Sequence, residues 1–181
     1  MMVGKFLSIF ILVLTSGFCQ AEDIWLLIDT QKLQLEIKRG NKTIKVLGNI
    51  AIGRNGAGIK QKRGDDVTPL GEYKIAWINK HSPYYRFYGF DYPSVKDASL
   101  ALQKGLINEK DYKKIIESHR NQQIPPQYTS LGGQIGIHGL GKADIHIHRF
   151  MNWTHGCIAL TNKQIELLSR WIKKGTVVKV K

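Results

Sequence analysis

Sulfur, proline and acidic side chains are scarce in this chain. Two cysteines, three methionines and five prolines occur among 181 residues. Cys19 lies at the end of an apolar stretch near the start, so once that stretch is removed Cys157 has no partner and a disulfide framework is excluded. Five scattered prolines exclude a proline-rich rod or a collagen-like repeat. Long hydrophobic runs are missing too: Phe6–Phe18 spans 13 residues and is broken by Ser8, Thr15, Ser16 and Gly17. A membrane-crossing helix needs about 20 consecutive apolar residues, so no stable span is expected. Aspartate and glutamate number 14 against 27 lysines and arginines, a net charge of +13. An acidic, cation-binding surface is thereby excluded, and anionic partners are favoured.

The start of the chain has the form of a targeting segment. Lys5 supplies a basic start, Phe6–Phe18 the apolar run, and Ala21 a small residue at the cleavage position. Residues 1–21 are therefore expected to be a signal peptide, with the mature protein beginning at Glu22 in the periplasm or cell envelope. Phe18 before Cys19 disfavours lipidation, where a small residue is usual. Removal of Lys5 leaves a mature charge of +12, spread among apolar strand positions without a nucleic-acid motif. Together with export, that argues against nucleic acid and for an anionic wall polymer or membrane surface.

Beyond the leader, residues 22–181 suit one domain with one core. Alternation in Ile24–Asp29 and Leu33–Lys38, followed by Thr43–Ile52, predicts an antiparallel start to a sheet. Residues 53–66 are glycine-rich and basic but lack the phosphate-binding Lys-Ser/Thr pair, which predicts a mobile surface loop. Thr68-Pro69-Leu70-Gly71 leads into a strand over Tyr73–Ile78. Residues 79–133 read as an insertion: an aromatic cluster (Tyr84, Tyr85, Phe87, Tyr88, Phe90, Tyr92) taken as packing, a helix over Val95–Lys104, and a second begun by Asn108 with Tyr112, Ile115 and Ile116 on one face. His81 and His119 read as solvated. Strands are expected over Gln134–His138 and Ala143–His148. Thr161 and Gln164 form a capping box for a helix with Ile165, Leu168 and Ile172 inward, stopped by Gly175, before a last strand over Thr176–Lys179. The fold class is mainly β with attached helices.

The chemistry concentrates in Ile137-His138-Gly139-Leu140-Gly141 and Asn152-Trp153-Thr154-His155-Gly156-Cys157-Ile158-Ala159-Leu160. A thiol reacts as thiolate, and a free pKa of about 8.5 leaves a few per cent in that form at neutrality, so a histidine or a helix N-terminus must assist. Both stand near Cys157 in sequence, the helix being the one that Thr161 caps. Gly156 permits a sharp turn that would bring its own N–H and that of Cys157 toward one point, as an oxyanion requires.

These segments resemble the L,D-transpeptidase catalytic domain, in which a His-Gly is followed by Ser/Thr-His-Gly-Cys. Here His138 precedes Cys157 by 19 positions, and Thr68-Pro69-Leu70-Gly71-Glu72-Tyr73 resembles the family's Thr-Pro-x-Gly-x-Tyr/Phe segment. The resemblance covers about Ile24 to Val180. It implies a β-sandwich-like catalytic domain, Cys157 as nucleophile, His138 as base and the Gly139 carbonyl as the group that orients the imidazole. Gly156 and Cys157 would supply the oxyanion N–H groups, with Thr154 and His155 shaping the substrate pocket, and neither metal nor organic cofactor is implied. The implied substrates are peptidoglycan stem peptides, attacked at the third residue to give a thioester. An amine of a second stem would yield a 3-to-3 cross-link, a lysine of an outer-membrane lipoprotein an anchor, and water a carboxypeptidase or amidase product. One position departs: many members continue Cys-Val/Ile-Arg, whereas Ala159 stands here, so a guanidinium often found near the substrate is missing. Arg86 or Lys96 of the insertion would then hold the anionic stem, with residues 79–133 acting as a cap that selects the acceptor.

Two other readings compete. Asp144, His146 and His148 would share one face of a strand and offer zinc ligands, but the His-x-x-x-Asp half of that peptidase pattern is missing. A non-catalytic wall-binding module would suit the basic, aromatic composition and leave the thiol beside His-Gly without a purpose.

Overall fold

The computed structural model describes residues 23–181, so the expected signal peptide and Cys19 lie outside the described residues. Alternating apolar residues build the first three strands, β1 (Ile24–Asp29), β2 (Gln34–Arg39) and β3 (Lys42–Gly48), which pair as an antiparallel meander. Leu26, Ile28, Leu35 and Ile37 point to the core and are fully buried, as period-two patterning requires. Two short strands, β4 (Ala57–Gly58) and β5 (Thr68–Pro69), pair in parallel across the base of the glycine-rich loop. That loop is tied down: Lys60 is buried against Asp65, whose carboxylate also accepts the backbone N–H groups of Gln61, Lys62 and Val67. Most of the loop lies at the surface as expected, its turn held by the acceptors that Asp65 supplies.

A long strand, β6 (Gly71–Ser82), follows, and β7 (Tyr85–Phe90) pairs with it. The sequence reading began an insertion at residue 79, yet residues 79–90 belong to the sheet. The helices α1 (Val95–Gln103) and α2 (Glu109–Arg120) then pack on each other around Ala98, Ala101, Ile107, Ile115 and Leu131. Ser94 and Asp97 form a capping box, and Asn108 caps α2. Asp97 also accepts from the Tyr73 hydroxyl at 3.3 Å, which fastens α1 to the sheet. His119 is not solvated: its Nε2 lies 2.8 Å from the Pro93 carbonyl.

The chain returns through β8 (Gly136–His138), a helix α3 (Ile145–Phe150) and β9 (Ile158–Ala159). The strand expected over Ala143–His148 is this helix, because Asp144 caps it by accepting from the His146 N–H at 2.7 Å. The capping box of Thr161 and Gln164 opens α4 (Asn162–Leu168), and β10 (Val177–Val180) completes the set. α4 ends at Leu168 and not near Gly175; Ile172 is still buried, from the turn that follows.

The sheet order is β3-β2-β1-β10-β6-β7-β8-β9. β10 lies between β1, to which it is parallel, and β6, to which it is antiparallel. A register shift between Ile75 and Trp77 divides β6 between two halves of the sheet, and bulges of this kind bend strands. The far edges meet again: Ala51, just after β3, exchanges both backbone hydrogen bonds with Ala159 of β9, at 3.0 and 2.8 Å. The sheet thereby wraps one apolar core that includes Leu26, Ile75, Phe90, Ile137, Ile158 and Leu168. Among the described residues a mainly β fold with four helices results, in agreement with the expected class. Among the described residues no helix is long and apolar enough to cross a membrane.

Candidate active site

His138 ends β8, and Cys157 immediately precedes β9, its parallel neighbour. The pairing sets His138 beside Ala159, so both segments open at one end of the sheet. His138 and Cys157 line the same cavity of about 920 Å³. A larger hollow, about 1410 Å³, lies along β1 and β10 and contains neither.

His138 is 4 % exposed, and its Nδ1 lies 2.7 Å from the Gly139 carbonyl oxygen. A carbonyl only accepts, so Nδ1 carries the proton and Nε2 keeps its lone pair. Burial holds the His138 pKa below the usual histidine value, with the Gly139 carbonyl pulling the other way and His148 adding to the lowering. Aromatic rings fix its plane: Tyr84 at 4.6 Å between centroids, Trp153 edge-on at 5.8 Å and Phe87 stacked at 6.3 Å. Tyr84 and Phe87 come from the aromatic cluster and Trp153 from the segment before Cys157; β7 divides its own aromatic residues by alternation. Tyr88 and Phe90 enter the core, while Phe87 faces His138 across the β7–β8 ladder.

Cys157 keeps part of its surface open, yet its sulfur is surrounded closely enough that burial pushes the thiol up to about 11. The Gly136 N–H and the charge of Lys60 oppose that shift. The thiol donates to the Gln134 carbonyl at 3.3 Å. The helix N-terminus expected to assist does not: β9 separates Cys157 from α4, and the Thr161 hydroxyl already accepts the Gln164 N–H.

The turn carrying Cys157 is braced by Thr154. Its buried hydroxyl accepts the Gly156 N–H at 3.1 Å and donates to the Cys157 carbonyl at 2.6 Å. Thr154 also lines the cavity, with its hydroxyl proton committed to the Cys157 carbonyl. Gly156 has φ +121, and a Cβ there would lie 2.7 Å from the Val67 carbonyl oxygen, so only glycine fits. Its N–H is turned to Thr154 and not outward as expected, whereas the Cys157 N–H has no hydrogen-bond partner among the described residues.

His155 stands at the rim, its Nδ1 2.7 Å from Asp66 and its Nε2 3.4 Å from Arg54. Arg54 and Asp66 were not anticipated, because the loop they flank reaches the cavity only through the strand pairings that follow β3. Arg86 and Lys96, expected to hold an anionic substrate, do not line the cavity; Arg86 instead pairs with Glu166 at 3.0 Å. The insertion contributes Ile124, Gln127 and Tyr128 from the segment that returns after α2.

The zinc reading loses its geometric basis. On α3 His148 is buried while Asp144 and His146 are exposed, so the three no longer share a face. Among the described residues no group of three or more metal-ligating side chains converges.

Comparison with solved structures places the fold. The chain is similar to the helical cell shape determining protein Pgp2 from Campylobacter jejuni, with a TM-score of 0.59 and 21% identity over 90% of this chain and 48% of that one. Bd1075 from Bdellovibrio bacteriovorus gives a TM-score of 0.53 at 16% identity, covering 89% of this chain and 48% of that one. An L,D-transpeptidase from Xylanimonas cellulosilytica gives 0.50 at 14% identity, covering 90% and 62%. The chain thus spans about half the length of the first two neighbours. No curated protein sequence matches it. The model of the L,D-transpeptidase catalytic domain matches residues 23–180, nearly everything the structure describes. The chain belongs to the L,D-transpeptidase catalytic domain family.

Proposed function

We propose that the protein is an exported peptidoglycan L,D-transpeptidase in which Cys157 attacks the third residue of a stem peptide and His138 carries the proton. The observation that carries this reading is the union, in one cavity, of a thiol with a buried imidazole whose Nε2 lone pair is fixed by the Gly139 carbonyl.

The resting pair is neutral, thiol and imidazole, because burial disfavours both charges. Substrate entry brings the carbonyl carbon to Sγ as Nε2 takes the thiol proton. The S–C bond forms, the carbonyl electrons move to oxygen, and the Cys157 N–H donates to that oxyanion. Collapse breaks the C–N bond, and the terminal D-amino acid leaves with the proton from His138. The thioester then passes to an acceptor amine, with His138 again taking and returning a proton. A side-chain amine of a second stem gives a 3-to-3 cross-link and a lysine of an outer-membrane lipoprotein gives an anchor, while water in the same step makes the enzyme a carboxypeptidase or amidase. The segment around Ile124, Gln127 and Tyr128 is the part of residues 79–133 placed to select among them. Turnover of wall peptide in the periplasm, with an effect on cell shape, follows from this reading.

Purified mature protein, beginning at Glu22, incubated with muropeptides and followed by mass spectrometry tests it. Loss of the terminal residue, a thioester mass on Cys157, and abolition of both by Cys157→Ala with chelators inert are expected. Turnover that survives Cys157→Ala, or activity removed by chelator and restored by zinc, overturns the reading.

A further inference from the structure

We propose that Arg54 anchors the free C-terminal carboxylate of the donor peptide, so that the leaving residue is selected as an acid; this rests on the donor chemistry proposed above. Position 159 cannot supply a guanidinium, since it is alanine and fully buried. The ladder that buries it also supplies the substitute. Ala159 pairs with Ala51, and two residues farther on Gly53 bridges to Thr154, which sets Arg54 at the cavity mouth with its own N–H on the Thr154 carbonyl at 3.0 Å. Arg54 thus reaches the same cavity as Cys157 from the opposite strand.

The guanidinium is held without being used up. Nε donates to the Trp153 carbonyl at 3.3 Å, Nη1 meets Asp66 at 3.4 Å, and Nη2 lies 3.4 Å from His155 Nε2. Five N–H donors face three long contacts, and the side chain is 52% exposed. Asp66 is also claimed by His155 at 2.7 Å, so it neutralises Arg54 incompletely. A planar fork whose two terminal nitrogens each keep one unclaimed N–H is suited to a bidentate carboxylate. No other lysine or arginine among the described residues lines this cavity.

The test compares an acetylated four-residue stem peptide carrying a free C-terminal acid with its C-terminal amide. Wild-type kcat/KM should favour the acid by about 10- to 100-fold, the range of a charge-assisted hydrogen-bonded pair. Arg54→Ala should bring that ratio to about one, chiefly through KM, and Arg54→Lys should restore part of it. Equal losses for acid and amide in Arg54→Ala, or a wild-type ratio near one, overturn the proposal. Calorimetric titration of the same two peptides into Cys157→Ala, with and without Arg54→Ala, separates this from the catalytic reading. Acid-selective binding that depends on Arg54, found together with a wild-type protein that turns neither peptide over, would sink the reaction and keep the anchor. Equal binding of both peptides, or binding of neither, would sink the anchor.

Discussion

His138 and Cys157 are tuned in the same physical direction, toward neutrality, which has measurable consequences at each. On the proposed mechanism the imidazole must be unprotonated to accept the thiol proton, and burial places its folded pKa below the unfolded value of about 6.5. Activity is therefore present above that depressed pKa and lost as pH falls through it. The acid limb of kcat/KM should lie below the ordinary histidine range. A limb at or above 6.5 would mean that burial does not govern this residue. The stability sign agrees: between the two pKa values the unfolded chain binds the extra proton, so His138 makes the fold less stable as pH drops from 6.5. For Cys157, a thiol pushed up to about 11 leaves on the order of one part in ten thousand as thiolate at pH 7. Alkylation by iodoacetamide in the absence of substrate should be slow at pH 7 and rise nearly tenfold per pH unit to pH 10. A rate already at its plateau by pH 8 would show a preformed thiolate.

Among elements, the turn from Thr154 to Cys157 has more at stake than its length suggests. Thr154→Val keeps the shape but strands the Gly156 N–H and the Cys157 carbonyl. The expected cost is about 2 kcal/mol or more, read as a fall in thermal midpoint of roughly 4–8 °C, with turnover down at least tenfold. Thr154→Ser should recover most of both; equal damage from valine and serine would locate the effect in the methyl group instead. This brace also shows where sequence reading stops. The capping boxes at Ser94 and Thr161, the Asn108 cap and the alternation in β1 and β2 depend on neighbours within a few positions, so residue order alone discloses them. Asp144 is such a cap as well, but alternating Ile and His around it imitated a strand. Arg54, Asp66 and the aromatic walls of His138 depend on partners roughly 50 to 100 positions away, which no local pattern encodes. The candidate nucleophile and base were legible because glycine and histidine flank them at family spacing; the donor direction of Gly156 was not.

For the whole molecule, closure of the sheet between Ala51 and Ala159 holds together the end that carries His138 and Cys157. Ala51→Pro removes the N–H that Ala159 accepts, and should cost about 1–3 kcal/mol while loosening the strand that presents Arg54. Limited proteolysis within residues 53–66 should then precede global unfolding; unchanged protection would assign closure to the core alone. A different consequence follows from the position of β10. It comes after every other described element in sequence, yet sits mid-sheet between β1 and β6. A chain made from its N-terminus therefore cannot join β1 to β6 through β10 until residues 177–180 have been made. Until residue 180 is free, β1 and β6 present unpaired edges and the pairing that unites them has the longest loop to close. The two halves of the sheet thus stay separable until β10 has been made, whereas β8 and β9, which bring His138 and Cys157 to one end of the sheet, pair with each other directly.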